Sequence, residues 1–108
     1  MVQKSEAILV AEQFKGNEKV MVIGSCWPED LEVLIPFINE NYQNLKFIIA
    51  PHEISESFMQ TLEKAVKAQT IRYSKASGAS LEKYQILLID NIGMLGRLYK
   101  YGEYAFVG

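Results

Sequence analysis

The sequence has few of the features that would assign it to a specialised class of protein. Its 108 residues include one cysteine, Cys26, so no internal disulfide can form, which fits a reducing compartment. No run approaches the roughly eighteen consecutive apolar residues of a membrane-spanning helix, and the N-terminus lacks the charged-then-apolar layout of a signal peptide. We therefore expect a soluble chain that is exposed to the cytosol.

An excess of charge of either sign is also missing. The 11 basic and 13 acidic residues are interspersed and give a formal net charge of -2. No positive stripe exists that could neutralise a run of phosphates, so nucleic acid is not an expected partner. The chain does contain 49% hydrophobic residues, which is enough for one modest core and leaves no room for two domains.

Three nearly continuous apolar runs predict strands that are buried on both faces of a parallel sheet. They are residues 19–24, the candidate for the central strand, and residues 45–50 and 86–89. Residues 70–73 predict a peripheral strand, and residues 104–107 predict a final one. Ligands of such sheets bind outside the carboxyl ends of the strands, where the strand order reverses.

Segments with helical spacing connect these strands. Residues 1–17 form a helical lead-in to a domain of residues 18–108, and residues 28–42 predict a helix that Pro36 kinks. A further apolar stripe follows Ser55, a short helix is predicted at 94–99, and the small polar residues of 74–83 predict a mobile surface loop. The alternation predicts an α/β fold: a Rossmann-like parallel sheet with helices on both faces.

Residues 24–28 follow the first strand and could aim the backbone amides of a helix N-terminus at a phosphate or carboxylate. The segment lacks the lysine of a P-loop and the later glycines of a dinucleotide fingerprint. An alternative stays open, in which Gly24 only permits a tight turn and Trp27 only covers the end of the core. Cys26 has no catalytic partner in the sequence and is interpreted as an ordinary half-buried thiol.

Two further segments fall at strand ends, residues 51–53 and 90–94. His52, the only histidine, is expected to contact a ligand, and the alternative is a solvated turn that caps the next helix. Asp90 is interpreted as a cap of the following turn, and Gly93 as allowing the backbone to approach a flat group. One histidine and one cysteine are too few for a metal site. No carboxylate pair, Ser-His-Asp set or Cys-His dyad is present, so we expect no catalytic residue.

Four motifs at these positions carry a resemblance to a known family: Gly24-Ser25 with Trp27-Pro28, residues 49–53, residues 88–95 with Leu98-Tyr99, and residues 105–108. Together they resemble the 3-deoxy-D-manno-octulosonic acid (Kdo) transferases. The resemblance runs from about Lys15 to Gly108. It is most specific in the Asp-x-x-Gly-x-Leu-x-x-Leu-Tyr stretch that begins at Asp90.

The resemblance implies the first part of the C-terminal, sugar-nucleotide-binding half of a two-domain GT-B glycosyltransferase. Such an enzyme transfers Kdo from CMP-Kdo to a lipid A precursor at the cytoplasmic face of the bacterial inner membrane, and no cofactor or metal is implied. The nucleotide-binding residues that it implies are Pro51, His52, Asn91, Ile92, Gly93 and Met94, with Gly24 and Ser25 near the junction with the acceptor domain. Without that domain and its catalytic glutamate, we expect a truncated and inactive fragment.

Two positions depart from the family pattern, because many relatives have Pro-Arg-His in place of Pro51-His52 and a glutamate in place of Met94. One alternative is the donor-binding domain of another GT-B glycosyltransferase, since donor choice lies in loops. Another is a flavodoxin-like or receiver-like binding module, although a receiver would need acidic residues after its first strand. An uncovered last strand also predicts self-association through an exposed edge.

Overall fold

The computed structural model describes residues 6–76, 80–90 and 104–107, and all structural statements concern these residues. The helices are α1 (Glu6–Lys15), α2 (Leu31–Asn41) and α3 (Glu56–Ala65). The strands are β1 (Val20–Cys26), β2 (Lys46–Pro51), β3 (Thr70–Arg72), β4 (Ile86–Leu88) and β5 (Tyr104–Val107). Short 3₁₀ turns occupy Pro28–Asp30, Tyr73–Lys75 and Leu81–Lys83.

The five strands form one parallel sheet in the order β3-β4-β2-β1-β5. This confirms the predicted parallel α/β sheet. The prediction that the first strand is central is wrong. Strand β4 lies between β3 and β2, so β2 is the middle strand of the five. Strand β1 lies between β2, the next strand along the chain, and β5, the last one, so the strand order reverses at β1.

Both faces of the sheet are covered. One apolar cluster joins α1 to the sheet through Val10, Ala11 and Phe14, and the other joins α2 and α3 to the opposite face through residues such as Leu34, Ile38, Phe58 and Leu62. Burial on both faces explains why the strands are continuously apolar and do not alternate. Among the described residues, no helix combines the length and apolar character needed to cross a membrane.

Helix α2 runs past Pro36 as one helix, preceded by the 3₁₀ turn at Pro28–Asp30. Proline removes the hydrogen bond that its nitrogen would donate to the carbonyl of Glu32, four residues earlier. Glu32 and Pro36 are both exposed, so water can reach this side of the helix. The helix is therefore not divided at the proline.

The predicted mobile loop at residues 74–83 is partly wrong. Its described parts contain 3₁₀ turns, and Ala76 and Leu81 are buried in the core. Single apolar residues anchor this otherwise polar segment, which a composition-based prediction does not detect. The helix predicted at residues 94–99 lies outside the described residues.

Lys46 closes the amino-terminal end of the sheet. Only 1% of its surface is exposed. Its Nζ donates to the carbonyl oxygens of Phe14 at 2.6 Å and Glu82 at 3.1 Å, and it lies 4.7 Å from the centroid of the Phe14 ring. Burial lowers the pKa of Lys46. The side chain thus ties α1 and the third 3₁₀ turn to β2.

Arg72 closes the edge of the sheet formed by β3. Its guanidinium donates to both carboxylate oxygens of Glu56 and to both of Glu63, all on the same helix, α3. The hydrogen bonds from Arg72 lower the pKa of the Glu56 carboxyl. This edge strand is three residues long and carries charge, two features that oppose pairing with another strand.

Candidate functional site

The carboxyl end of β1 departs from regular strand geometry. The ladder with β2 shifts register between Ile23 and Cys26, and Ser25 has a φ of 53°, in the left-handed region. A non-glycine residue there costs roughly 1–2 kcal/mol, and such residues concentrate at functional sites. Gly24 is buried in the ladder, opposite Val107, and Ser25 is half-buried. The predicted loop residues Gly24 and Ser25 therefore belong to the strand.

The ring of Trp27 stacks on the imidazole of His52, immediately beyond the ends of β1 and β2. The ring centroids lie 3.7 Å apart and the planes differ by 22°. Trp27 retains 41% of its surface exposed, and His52 is also exposed. Two segments that the sequence singled out separately therefore meet in one aromatic pair that solvent can reach.

Backbone contacts hold this pair in place. The His52 amide donates to the carbonyl of Cys26 at 2.7 Å, which joins the two strand ends. The Trp27 amide donates to Asp30 Oδ2 at 2.9 Å, and the Asp30 amide donates back to the Trp27 carbonyl at 3.0 Å. Because Asp30 already accepts from the Trp27 amide, this one amide of the segment is not free to face a ligand.

Cys26 lies below this surface with 1% of its area exposed. Burial, with a smaller effect of the Asp30 carboxylate, raises the pKa of its thiol to about 12. The thiol is therefore protonated at neutral pH, and it contacts the carbonyl oxygen of Trp27 at 3.6 Å. The interpretation of Cys26 as a structural thiol is confirmed, although the side chain is fully and not half buried.

Asp90 follows β4, at the same edge of the sheet. Its Oδ1 accepts from the Ser74 amide at 2.9 Å and its Oδ2 accepts from the Ser74 hydroxyl at 2.5 Å. The carboxylate thus fixes the turn that follows β3. The turn after Asp90, which the sequence predicted it to cap, lies outside the described residues. The backbone is fixed in addition, since the Ile89 amide donates to the Ile49 carbonyl at 2.8 Å. The candidate residues Asn91, Ile92, Gly93 and Met94 lie outside the described residues.

The segments at the carboxyl ends of β1, β2 and β4 contain four acidic residues: Glu29, Asp30, Glu53 and Asp90. Residues 24–30, 50–55 and 89–90 contain one histidine, His52, and no lysine or arginine. Within the described ranges, no three metal-ligating residues come together. The site offers an aromatic surface and hydrogen-bonding groups, but little positive charge.

Comparison with known proteins bears on the identity of this site. No family model matches the chain. A 3-deoxy-D-manno-octulosonic acid transferase of Chlamydophila psittaci is 33% identical over 97 residues, covering 89% of this chain and 22% of the relative. The resemblance to the Kdo transferases is confirmed. The enzyme of the same name from Chlamydia trachomatis serovar D is 27% identical over the same share of each chain.

Other relatives set the extent of this similarity. A bifunctional glycosyltransferase/methyltransferase of Fusobacterium nucleatum is 30% identical over 97 residues, covering 86% of this chain and 15% of the relative. The chain therefore spans about a fifth, 22%, of the length of the Kdo transferases that it matches.

A solved structure supports the fold. The crystal structure of the C-terminal CMP-Kdo binding domain of WaaA from Acinetobacter baumannii aligns with a TM-score of 0.67 and 24% identity, over 93% of this chain and 54% of that one. The likeness confirms the α/β architecture with its parallel sheet.

Sequence reasoning missed the pairing of Trp27 with His52. It placed both loops at the same edge of the sheet and left open whether Trp27 only covers the core, but it predicted no contact between the two rings. A signal existed, because two aromatic rings each follow the end of an apolar strand, and parallel strands that are neighbours bring such positions together. The register that aligns Cys26 with Pro51, and so places the next two residues side by side, is not visible in the sequence.

Proposed function

We propose that this chain is the donor-binding part of a glycosyltransferase that transfers Kdo from CMP-Kdo. One observation carries the proposal: two of the motifs that resemble the Kdo transferases, at residues 24–28 and 49–53, meet at the carboxyl ends of β1 and β2, next to the reversal of strand order at β1. This is the position at which open parallel sheets bind nucleotides. The 33% identity to a Kdo transferase over 89% of the chain supports the same assignment.

Each candidate residue receives a role in this proposal. Pro51 and His52 contact the phosphate of CMP, and Gly24 and Ser25 lie at the junction with the acceptor-binding domain. The remaining candidates contact the base or ribose: Asn91, Ile92, Gly93 and Met94. Since the segments that follow β1 and β2 contain no lysine or arginine, we propose that positive charge against the phosphate comes from another part of the whole enzyme.

Chemistry requires more than these residues. Transfer with inversion at the anomeric carbon needs a base beside the acceptor hydroxyl and a leaving group that is bound and oriented. We assign the described residues to the second requirement, and Cys26, which is protonated and buried, is not the base. For the whole enzyme we propose a lipid A precursor as acceptor and the cytoplasmic face of the bacterial inner membrane as location.

A titration of the labelled chain with CMP, followed by amide NMR, tests this function. We expect shifts at residues 51–53 and 91–94 that are larger with CMP than with UMP or AMP. A His52→Ala variant should lose most of the response, whereas Glu40→Ala, an exposed substitution on α2, should not. Absence of shifts with every nucleotide would contradict the proposal.

A second candidate is a donor-binding domain for another sugar nucleotide. The similarity to a bifunctional glycosyltransferase/methyltransferase, at 30% identity, favours keeping this candidate. The two functions share a fold and differ in donor specificity. The same titration separates them, since a stronger response to UMP than to CMP would favour the second candidate.

We also propose that copies of the chain associate through β5. Among the described strands, β5 pairs with β1 alone, and Tyr104 is 52% exposed. An unpaired strand edge beside apolar surface favours pairing with a second copy. Sedimentation over a range of concentrations should show dimers that Tyr104→Lys weakens and Val33→Lys, on exposed α2 surface, does not.

A further inference from the structure

Trp27 has a larger exposed surface than a role in covering the core explains. It is the only tryptophan in the chain, and 41% of its surface is exposed to solvent. Cys26 beside it is only 1% exposed. One face of the indole is occupied by His52 at 3.7 Å. The 41% that stays exposed is mostly apolar ring surface, and it lies at the carboxyl end of β1.

The indole is also fixed before any ligand arrives. The reciprocal hydrogen bonds with Asp30 hold its backbone, and the bond from the His52 amide to Cys26 holds the ring beneath it. The strained φ of Ser25 sets the direction in which the chain leaves β1. A side chain that is rigid in this way loses little entropy when a ligand binds to it.

The order of the strands gives the direction in which a donor would lie. Strands β4, β2 and β1 are neighbours in that order, with a spacing of about 4.8 Å between adjacent strands. The proposed function places the nucleoside toward β4 and the phosphate at His52, after β2. A group attached to the far side of the phosphate then falls beyond the end of β1, where Trp27 lies.

We propose that the exposed face of Trp27 is the platform for the sugar ring of the donor. This inference rests on the proposed function. The C–H bonds on one face of a pyranose are slightly positive, and they complement the negative face of an indole. The imidazole of His52 uses its own face for the stack and makes no hydrogen bond within the described residues, so its ring nitrogens remain available to the anionic part of the ligand.

The single tryptophan makes this platform directly observable. We would titrate the chain with CMP and with a CMP-Kdo analogue in which a methylene group replaces the oxygen at the anomeric carbon. Binding would be followed by tryptophan fluorescence and, independently, by amide NMR. We expect the analogue to change the Trp27 emission strongly and CMP to change it little.

Variants separate the platform from the nucleotide contacts. Trp27→Ala should weaken binding of the analogue by about tenfold and leave CMP affinity within about twofold, because only the analogue carries a sugar ring that can contact the indole. Trp27→Phe should retain part of the additional affinity that the sugar ring gives the analogue. Phe37→Ala, which removes another partly exposed aromatic ring from α2, is the matched control and should change neither affinity.

The outcomes distinguish the two proposals. Equal loss of CMP and analogue affinity in Trp27→Ala, or no loss of either, would overturn the sugar platform while leaving CMP binding by the chain intact. Failure of both CMP and the analogue to bind the unaltered chain would overturn the proposed function and the platform with it. A selective loss for the analogue supports both.

Discussion

The two ends of strand β2 place a nitrogen-bearing side chain against an aromatic ring in opposite ways. At the start of the strand, Lys46 Nζ lies 4.7 Å from the Phe14 ring centroid, and 1% of the lysine is exposed. Just after its end, the His52 ring lies 3.7 Å from Trp27, which is 41% exposed. The same kind of contact is part of the core at one end and part of the surface at the other.

The difference teaches how to separate a structural pair from a binding pair. Lys46 donates hydrogen bonds to two carbonyl oxygens of the protein, and Phe14 is fully buried, so no surface of its ring remains for a ligand. His52 and Trp27 are held by backbone hydrogen bonds and by the stack between their rings, and both side chains stay exposed. Satisfied and buried groups stabilise a fold, whereas fixed and exposed groups are placed to bind.

The largest effect that we expect is slow alkylation of Cys26, which is buried beneath the Trp27–His52 pair. Cys26 adjoins Trp27, yet its pKa of about 12 against an ordinary value of 9.0 reduces the thiolate fraction about 1,000-fold at neutral pH. Alkylation by iodoacetamide at pH 7 should therefore be at least that much slower in the folded chain than in guanidinium chloride. The chain has no second thiol to confuse the measurement. Folded and unfolded rates within tenfold of each other would show that solvent reaches below the aromatic pair.

Lys46→Met should give the next largest effect. The substitution keeps most of the side-chain volume but leaves the buried carbonyls of Phe14 and Glu82 without their donor, at a cost of roughly 2–4 kcal/mol in the free energy of unfolding. Urea unfolding measures the change. Lys83→Met is the control, because Lys83 is exposed over Tyr84, and its loss should cost less than about 0.5 kcal/mol. If Lys46→Met and Lys83→Met lowered the free energy of unfolding equally, Lys46 would not be the structural contact that we contrast with the Trp27–His52 pair.

His52→Ala should cost less than Lys46→Met. It removes the stack on Trp27 from a solvated position, and an aromatic contact of this kind contributes about 0.5–1.5 kcal/mol to stability. A double-mutant cycle with Trp27→Ala isolates the energy of the pair. A coupling energy above about 2 kcal/mol would contradict the view that this pair is built for binding and not for stability.

Ser25→Gly should have the smallest effect, a gain of about 0.5 kcal/mol. Glycine relieves the left-handed backbone, and its greater freedom in the unfolded chain offsets part of that relief. Thermal unfolding of the variant, compared with Ser57→Gly on the exposed surface of α3, measures the difference. If Ser25→Gly destabilised as much as the control, the strain at the end of β1 would be absent.

Most of the fold could be predicted from the sequence because burial on both faces makes the strands continuously apolar. The runs at 19–24, 45–50 and 86–89 correspond to β1, β2 and β4, and the final apolar segment corresponds to β5. The central strand was not predictable, since these runs are equally apolar and the order depends on how the connections cross the sheet. Strand β1 also extends past Gly24 to Cys26, through the bulge at Ser25.

The details of the site were harder to predict because they depend on contacts between distant segments. Nothing near Asp90 in sequence points to Ser74 as its partner. Nothing near Lys46 shows that this lysine at the start of a strand is buried. The location of the site at the strand ends was predictable, since that follows from the parallel topology alone.

The ion pairs of Arg72 also limit how large an assembly of this chain can become. Strand β3 is short, and the ion pairs of Arg72 tie it to α3, two features that oppose pairing with a second copy. If copies associate through β5, as proposed, then β5 is the one edge among the described strands that favours pairing. Propagation into fibres would need two, and we expect association to end at pairs.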